Sequence, residues 1–216
     1  MTLPPRKIGL FGGSFDPPHN GHLICARAAS LCLNLEKVIV IPAANQPRKP
    51  EGTFATGDQR LKMVHAAFSG LNRFEVSTLE LVRGGPSYTI DTIREINKSY
   101  PAPEFTLYLI VGADTLADMP NWKEPDEIFR STIVASMVRT TTVVPEFQPG
   151  WVIQIIRLDT PKIDISSREI RRKVAVHESI EGLVPEEVNK IIKTESLYIV
   201  QESTRLTPVL DLARNG

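Results

Sequence analysis

Cysteine is scarce in this chain, with only Cys25 and Cys32 among 216 residues. They lie seven positions apart in one expected helix. At the helical rise their Cα atoms are roughly 10 Å apart, too far for a disulfide. Both are expected as buried free thiols of a reducing compartment. Net charge is missing too, because 25 Lys and Arg balance 25 Asp and Glu. A general nucleic-acid binder carries a basic surplus, so nucleic acid is not an expected partner. No apolar run approaches the length of about 18 residues that would suggest a membrane helix, and no signal peptide is read before the first apolar segment. The expected setting is cytoplasmic, with no membrane partner. The chain also lacks a Gly-x-Gly-x-x-Gly fingerprint and a Gly-x-x-x-x-Gly-Lys-Ser/Thr loop.

Apolar and charged residues stand at 42% and 23%, the proportions of a globular domain. At this length roughly 70% of the unfolded surface can be buried, so the core needs no disulfide. Strands are expected at 7–11, 37–42, 73–78, 105–111, 131–137 and 151–157. Helical patterns fall between most of them, including 20–35 and 57–70. Such alternation is that of a parallel α/β sheet. In 57–70 the apolar stripe is read as Leu61, Val64 and Phe68, which puts His65 at the edge of the core.

Residues 11–23 read Phe-Gly-Gly-Ser-Phe-Asp-Pro-Pro-His-Asn-Gly-His-Leu. A strand-like run precedes them and an amphipathic one follows. Gly12 and Gly13 lack a Cβ, so a ligand can come close and positive φ is open. Ser14 and Phe15 continue the turn. The helix behind it offers unpaired N–H groups and about half a positive charge. His19 and His22, spaced i and i+3, sit where that helix opens. The arrangement suits a polyphosphate. As imidazolium, the rings would also offset charge on a leaving pyrophosphate. A zinc pair is disfavoured, because metal helices more often use i, i+4 with a nearby Glu and no third ligand is evident. No metal ligands are assigned. Asp16 reads as a structural cap rather than a catalytic acid.

A second motif, Ile165-Ser166-Ser167-Arg168-Glu169-Ile170-Arg171, lies far downstream. Ser166 with Glu169 three residues later is a capping-box pattern, so a helix opens at 167. Arg168 in its first turn, Arg171 one turn in, and two hydroxyls form an anion site at a positive helix end. Taken alone, the stretch could equally be a capped surface helix with a solvated basic run. Residues 43–56 lack periodicity, and a loop this long is usually functional or mobile. Arg48 and Lys49 make it a candidate flap over an anionic substrate, or else an ordinary solvated pair.

These motifs carry a resemblance. Gly12 to Leu23 resembles the Gly-Gly-x-Phe-Asp-Pro-x-His-x-Gly-His-Leu signature of the His-x-Gly-His nucleotidyltransferases. Residues 165–171 resemble their Ile-Ser-Ser-Thr-x-Ile-Arg, with Arg168 at the Thr position, where a guanidinium can also hold phosphate. Pro86-Ser87-Tyr88-Thr89-Ile90-Asp91-Thr92-Ile93 is similar to the Pro-Ser-Tyr-Thr-x-Asp-Thr-Leu run of bacterial nicotinate mononucleotide adenylyltransferases. Ile110 to Leu116 is similar to their Ile-Gly-x-Asp-x-Leu run. Asn121-Trp122 falls where they carry an aromatic, and Arg48-Lys49 where they carry His-Lys or His-Arg. The resemblance covers nearly residues 6–200. It implies a Rossmann-like doubly wound parallel sheet of the nucleotidyltransferase type in one domain, 1–200, with a polar tail over 201–216.

The implied reaction joins ATP to nicotinate mononucleotide, giving deamido-NAD and pyrophosphate. Gly12, Gly13, Ser14, Phe15, His19 and His22 would hold the α-phosphate. Ser166, Ser167, Arg168 and Arg171 would hold the β- and γ-phosphates. Gly112 and Asp114 follow the 105–111 strand, where ligands of α/β sheets lie, with Asp114 toward a ribose hydroxyl. The resemblance assigns Arg48, Lys49, Ser87, Tyr88, Thr89 and Trp122 to the second nucleotide. Trp122 would stack on its pyridine ring, and Thr89 would face its carboxylate. Mg²⁺ is expected on the triphosphate with few or no protein ligands. The attacking phosphate is already anionic at neutral pH, so no general base is required, and these motifs offer no Ser-His-Asp set or paired carboxylates. Catalysis would be positioning plus charge stabilisation. Open alternatives are a transferase of the same class acting on nicotinamide mononucleotide, pantetheine phosphate or an alcohol phosphate, a regulatory nucleotide-binding module, and a zinc hydrolase. A homo-oligomer is also open.

Overall fold

Ile8 and Leu10 share one face of an apolar run and Phe11 takes the other, so a strand built from it is buried on both sides. That run is β1 (Arg6–Gly13), the middle of the molecule. A computed structural model describes residues 4–48, 51–138, 147–159 and 164–199. In it β1 is joined by β2 (Lys37–Pro42), β3 (Phe74–Val76), β4 (Phe105–Gly112), β5 (Ile133–Val138) and β6 (Ile155–Asp159). All neighbours run parallel in the order β3-β2-β1-β4-β5-β6. Continuous apolar stretches such as Val38 to Ile41 and Leu107 to Val111 are what a sheet covered on both faces requires.

Helices α1 (Asn20–Cys32), α2 (Gly57–Phe68), α3 (Leu79–Arg83), α4 (Thr89–Ser99), α5 (Ala113–Asp118), α6 (Pro125–Ser131), α7 (Pro149–Val152), α8 (Ser167–Ala175) and α9 (Glu186–Thr194) surround the sheet. On one face Ala26, Met63, Phe68, Ile170 and Val188 pack on Val38, Val40, Ile110 and Ala135. On the other Ile90, Ile93, Leu116, Ile128 and Phe129 pack on Ile8, Leu10, Ile39 and Leu109. The sheet is thus parallel, as the α/β alternation implies, and doubly wound and Rossmann-like, as the resemblance implies. Gly9 lets α1 and its return loop sit close, since a Cβ there would lie 2.7 Å from Leu35 Cδ1 and 3.1 Å from Ile110 Cδ1.

Several sequence expectations shift. The strand expected at 151–157 begins only at Ile155, because Pro149 opens the short α7 and buries Trp151 against Phe129. Strand 73–78 shortens to Phe74–Val76, and the first two helices end at Cys32 and Phe68. The buried stripe of α2 is Arg60, Met63, Val64, Ala67 and Phe68, one position off the expected phase, so His65 is exposed rather than at the core edge. The thiols are free but not buried: Cys25 is half-buried and Cys32 exposed. Among the described residues no helix is long and apolar enough to cross a membrane. The tail over 201–216 lies outside the described residues.

Candidate active site

Strand order reverses between β1 and β4, so their connections leave in opposite directions and open a crevice at their carboxyl ends. Leu10 pairs with Leu109. Gly13 and Gly112 each stand three residues further on, at the lip of this crevice. Gly12, Gly112 and Asp114 are exposed there, and Gly112 is the residue before α5. The left-handed residue of the first turn is Phe15 (φ 50), not a glycine. Neither Gly12 nor Gly13 takes positive φ, and a Cβ on Gly13 would meet the Phe15 ring at 3.2 Å. Ser14 is buried, and its Oγ donates to Gln46 Oε1 at 2.9 Å.

His19 caps α1, and its backbone N–H donates to His22 Nδ1 at 3.1 Å. The two rings stack with centroids 3.7 Å apart. Phe15 meets His22 edge-on at 5.0 Å, fixing that ring further. An accepting Nδ1 leaves the His22 proton on Nε2 in the neutral ring. Burial pulls the His19 imidazole down to about 4, so it is neutral at pH 7. The conditional reading of an imidazolium at His19 therefore does not hold for the ring as it stands, which is neutral and offers one N–H donor.

The second motif folds against the first. Ser166 caps α8 by accepting from the Glu169 N–H at 3.2 Å. The Glu169 side chain binds Arg172 instead of returning to Ser166, so the pattern gives one cap bond. Ser167 Oγ donates to Pro17 O at 2.8 Å, and Arg171 Nη1 donates to Asp16 O at 2.7 Å. Arg171 also lies 4.4 Å over the Phe54 ring. Arg168 is exposed at the helix opening and, among the described residues, makes no ion pair.

On the other flank, Arg48 forms an ion pair with Asp118. The same carboxylate accepts from Trp122 Nε1 and from Asn121 Nδ2, both at 3.2 Å. Ser87 Oγ accepts from Ala44 N–H at 2.9 Å, and its own N–H donates to Asn45 O at 2.7 Å. Lys123 Nζ sits 4.7 Å over the half-buried Tyr88 ring, and Thr89 opens α4. Lys49 lies outside the described residues.

Two contributors, Asp118 and Arg60, are absent from the sequence reading, and Asp16 takes a different structural role from the one read there. Asp16 is no local cap: its carboxylate accepts from Phe54 N–H, Ala55 N–H and Tyr198 Oη, at 2.8, 3.1 and 2.9 Å. Asp118 joins the basic loop to the tryptophan. Arg60 is buried behind the first turn. Its signal was a cation at i, i+3, i+4 and i+7 spacing from Met63, Val64 and Ala67, inside an otherwise apolar stripe. Asp16 acts across the fold, and Asp118 couples its local partners Asn121 and Trp122 to the distant Arg48. Among the described residues, no group of three His, Cys, Asp or Glu side chains could hold a metal ion.

A crevice at a strand reversal, flanked by the openings of α1 and α8, defines a nucleotide-handling α/β domain of the nucleotidyltransferase class. The profile of the cytidylyltransferase-like family matches residues 10–173. A probable nicotinate-nucleotide adenylyltransferase of Bacillus licheniformis is 36% identical over 193 residues, 89% of this chain and 98% of the relative. Its counterpart in Halalkalibacterium halodurans is 34% identical, covering 97% of this chain and 100% of that one. A solved nicotinic acid mononucleotide adenylyltransferase of Plasmodium falciparum, complexed with NaAD, has the same fold, with a TM-score of 0.71 at 18% identity over 89% of this chain and 97% of that one. The chain belongs to the cytidylyltransferase-like family and, within it, to the nicotinate-nucleotide adenylyltransferases.

Proposed function

We propose that this protein transfers the adenylyl group of ATP to nicotinate mononucleotide, giving deamido-NAD and pyrophosphate. The observation that carries the reading is the contact between the two motifs, Ser167 on Pro17 and Arg171 on Asp16. A triphosphate entering the crevice would then meet the imidazole turn and the opening of α8 together.

A 5′-phosphate oxygen of the mononucleotide attacks the α-phosphorus in line. The bond from that phosphorus to the α,β-bridging oxygen breaks, and its electrons leave with pyrophosphate. His19 and His22 donate N–H bonds to α-phosphate oxygens. An anion there raises the His19 pKa, so the ring gains positive charge as substrate binds. Arg168, free of ion pairs among the described residues, takes the β- and γ-phosphates with the Ser167 N–H at the helix end. Arg171 holds the two motifs in place and has further N–H donors for the leaving group. Gly12 and Gly13 leave room for the α-phosphate. Gly112 and Asp114 face the nucleoside, with Asp114 accepting from a ribose hydroxyl.

Trp122, steadied by Asp118, presents its ring to the pyridine. Tyr88, Thr89 and the backbone near Ser87 bound the rest of that pocket, and Arg48 with Lys49 draws the second phosphate. A Mg²⁺ ion bound with ATP would neutralise phosphate charge. Asp16 is a poor ligand for it, since its oxygens already accept three hydrogen bonds. Phosphate oxygens and water would carry the ion.

Pyrophosphate release with nicotinate or nicotinamide mononucleotide as acceptor tests the reading. The acid is expected to be favoured at least about tenfold in kcat/KM, because a carboxylate gains charge-assisted bonds that an amide does not. Equal use, or preference for the amide, contradicts the assigned substrate. His22→Ala is expected to abolish most turnover while leaving the fold intact.

A further inference from the structure

Arg60 is 1% exposed, and nothing in the chemistry above uses it. Its charge meets no carboxylate at hydrogen-bond distance among the described residues. Nη1 donates to Ser14 O at 2.8 Å and to Ala43 O at 2.7 Å, and Nη2 donates to Ala44 O at 3.3 Å. Nε is buried without an acceptor among the described residues. Burial pulls the Arg60 pKa down and the nearby Asp16 carboxylate offsets only part of that, and an apolar side chain of the same volume would often be better for stability. A residue kept for packing would not look like this.

The three carbonyls come from two stretches of chain. Ser14 belongs to the turn after β1, and Ala43 and Ala44 to the loop after β2. The Ser14 carbonyl shares its peptide with the Phe15 N–H, and the Ala43 carbonyl shares one with the Ala44 N–H, which donates to Ser87 Oγ. A cation on those carbonyls polarises each peptide and strengthens its donor. Ala43 N–H to Gly13 O, at 2.9 Å, and Ser14 to Gln46 tie the same two stretches. Arg60 brings a full positive charge onto the carbonyls of this junction.

We propose that Arg60 is a positioning residue for adenylyl transfer, locking the ATP-side turn at Ser14 and the second-nucleotide loop at Ala43 and Ala44 into one geometry. The inference rests on the function proposed above, in which those two stretches serve the two nucleotides.

Arg60→Met keeps length and apolarity but removes every donor, and Arg60→Lys keeps the charge but loses the fork. Val64→Ala, a fully buried position of the same helix, serves as the stability control. Each protein is measured for thermal midpoint, for kcat and KM toward both nucleotides by pyrophosphate release, and for ATP affinity by calorimetry. Arg60→Met is expected to lose at least about tenfold in kcat/KM for both nucleotides and in ATP affinity, Arg60→Lys to recover part, and Val64→Ala to lower only the midpoint. Arg60→Met with a lower midpoint but constants within about twofold of wild type overturns the proposal. If Arg60→Met does not fold, Arg60→Lys decides: a loss in both constants beyond about threefold supports the proposal, and a smaller one overturns it. Should the unmutated protein fail to use nicotinate mononucleotide, the assigned function falls instead. ATP affinity of the Arg60 variants then judges the positioning claim at the turn.

Discussion

His19 shows at the scale of one residue how burial decides chemistry. Its pKa in the folded protein is about 4, against an ordinary 6.5. Between those values the unfolded chain holds a proton that the folded one refuses. The contribution is therefore complete above pH 6.5 and is lost as pH falls toward 4, a range worth about 3 kcal/mol. Urea unfolding across that range is expected to show a steeper fall for the wild type than for His19→Asn, and parallel curves would contradict the burial argument. Gly9 makes a similar point in packing. Gly9→Ala forces its Cβ onto Leu35 and Ile110. It is expected to cost about 1–3 kcal/mol by the same measurement. The histidines were legible in the sequence because their spacing and the glycines beside them form one local pattern. Their protonation was not, because it depends on burial by the whole fold.

Among the elements, the opening of α8 and the loop 43–56 do most to shape the cleft. The Ser166 cap was legible from Ser and Glu three residues apart. Ser166→Ala is expected to cost about 1 kcal/mol in thermal or urea unfolding. The loop was legible as irregular and basic, but not how it is held. Asp16 grips Phe54, Ala55 and Tyr198 from far along the chain. Asp16→Ala leaves buried donors unpaired and is expected to destabilise by about 2–4 kcal/mol, with protease cutting within 51–56 as a second sign. The phase of α2 was misread because Leu61 and His65 fit a stripe almost as well as Met63 and Ala67. The packing of Met63, Val64, Ala67 and Phe68 on the sheet, and the contact of Arg60 with three distant carbonyls, set the true one. The sixth strand was misplaced for the opposite reason, since β-branched residues after Trp151 outweighed the helix-opening Pro149.

For the whole molecule, the alternation of apolar strands and amphipathic helices was enough to read a parallel α/β sheet, and the family resemblance implied that it is doubly wound. The strand order was not readable locally, and it is what puts Gly13 and Gly112 at one crevice. The joining of the two signature motifs follows from that order. In the fold it takes the form of Ser167 on Pro17 and Arg171 on Asp16. A crystal structure with a non-hydrolysable ATP analogue tests this claim most directly. The α-phosphate is expected within about 3 Å of a ring nitrogen of His19 or His22, with the outer phosphates at the same distance from Arg168 and the start of α8. An analogue bound with its phosphates against only one of the two motifs, or outside the crevice between β1 and β4, would contradict it.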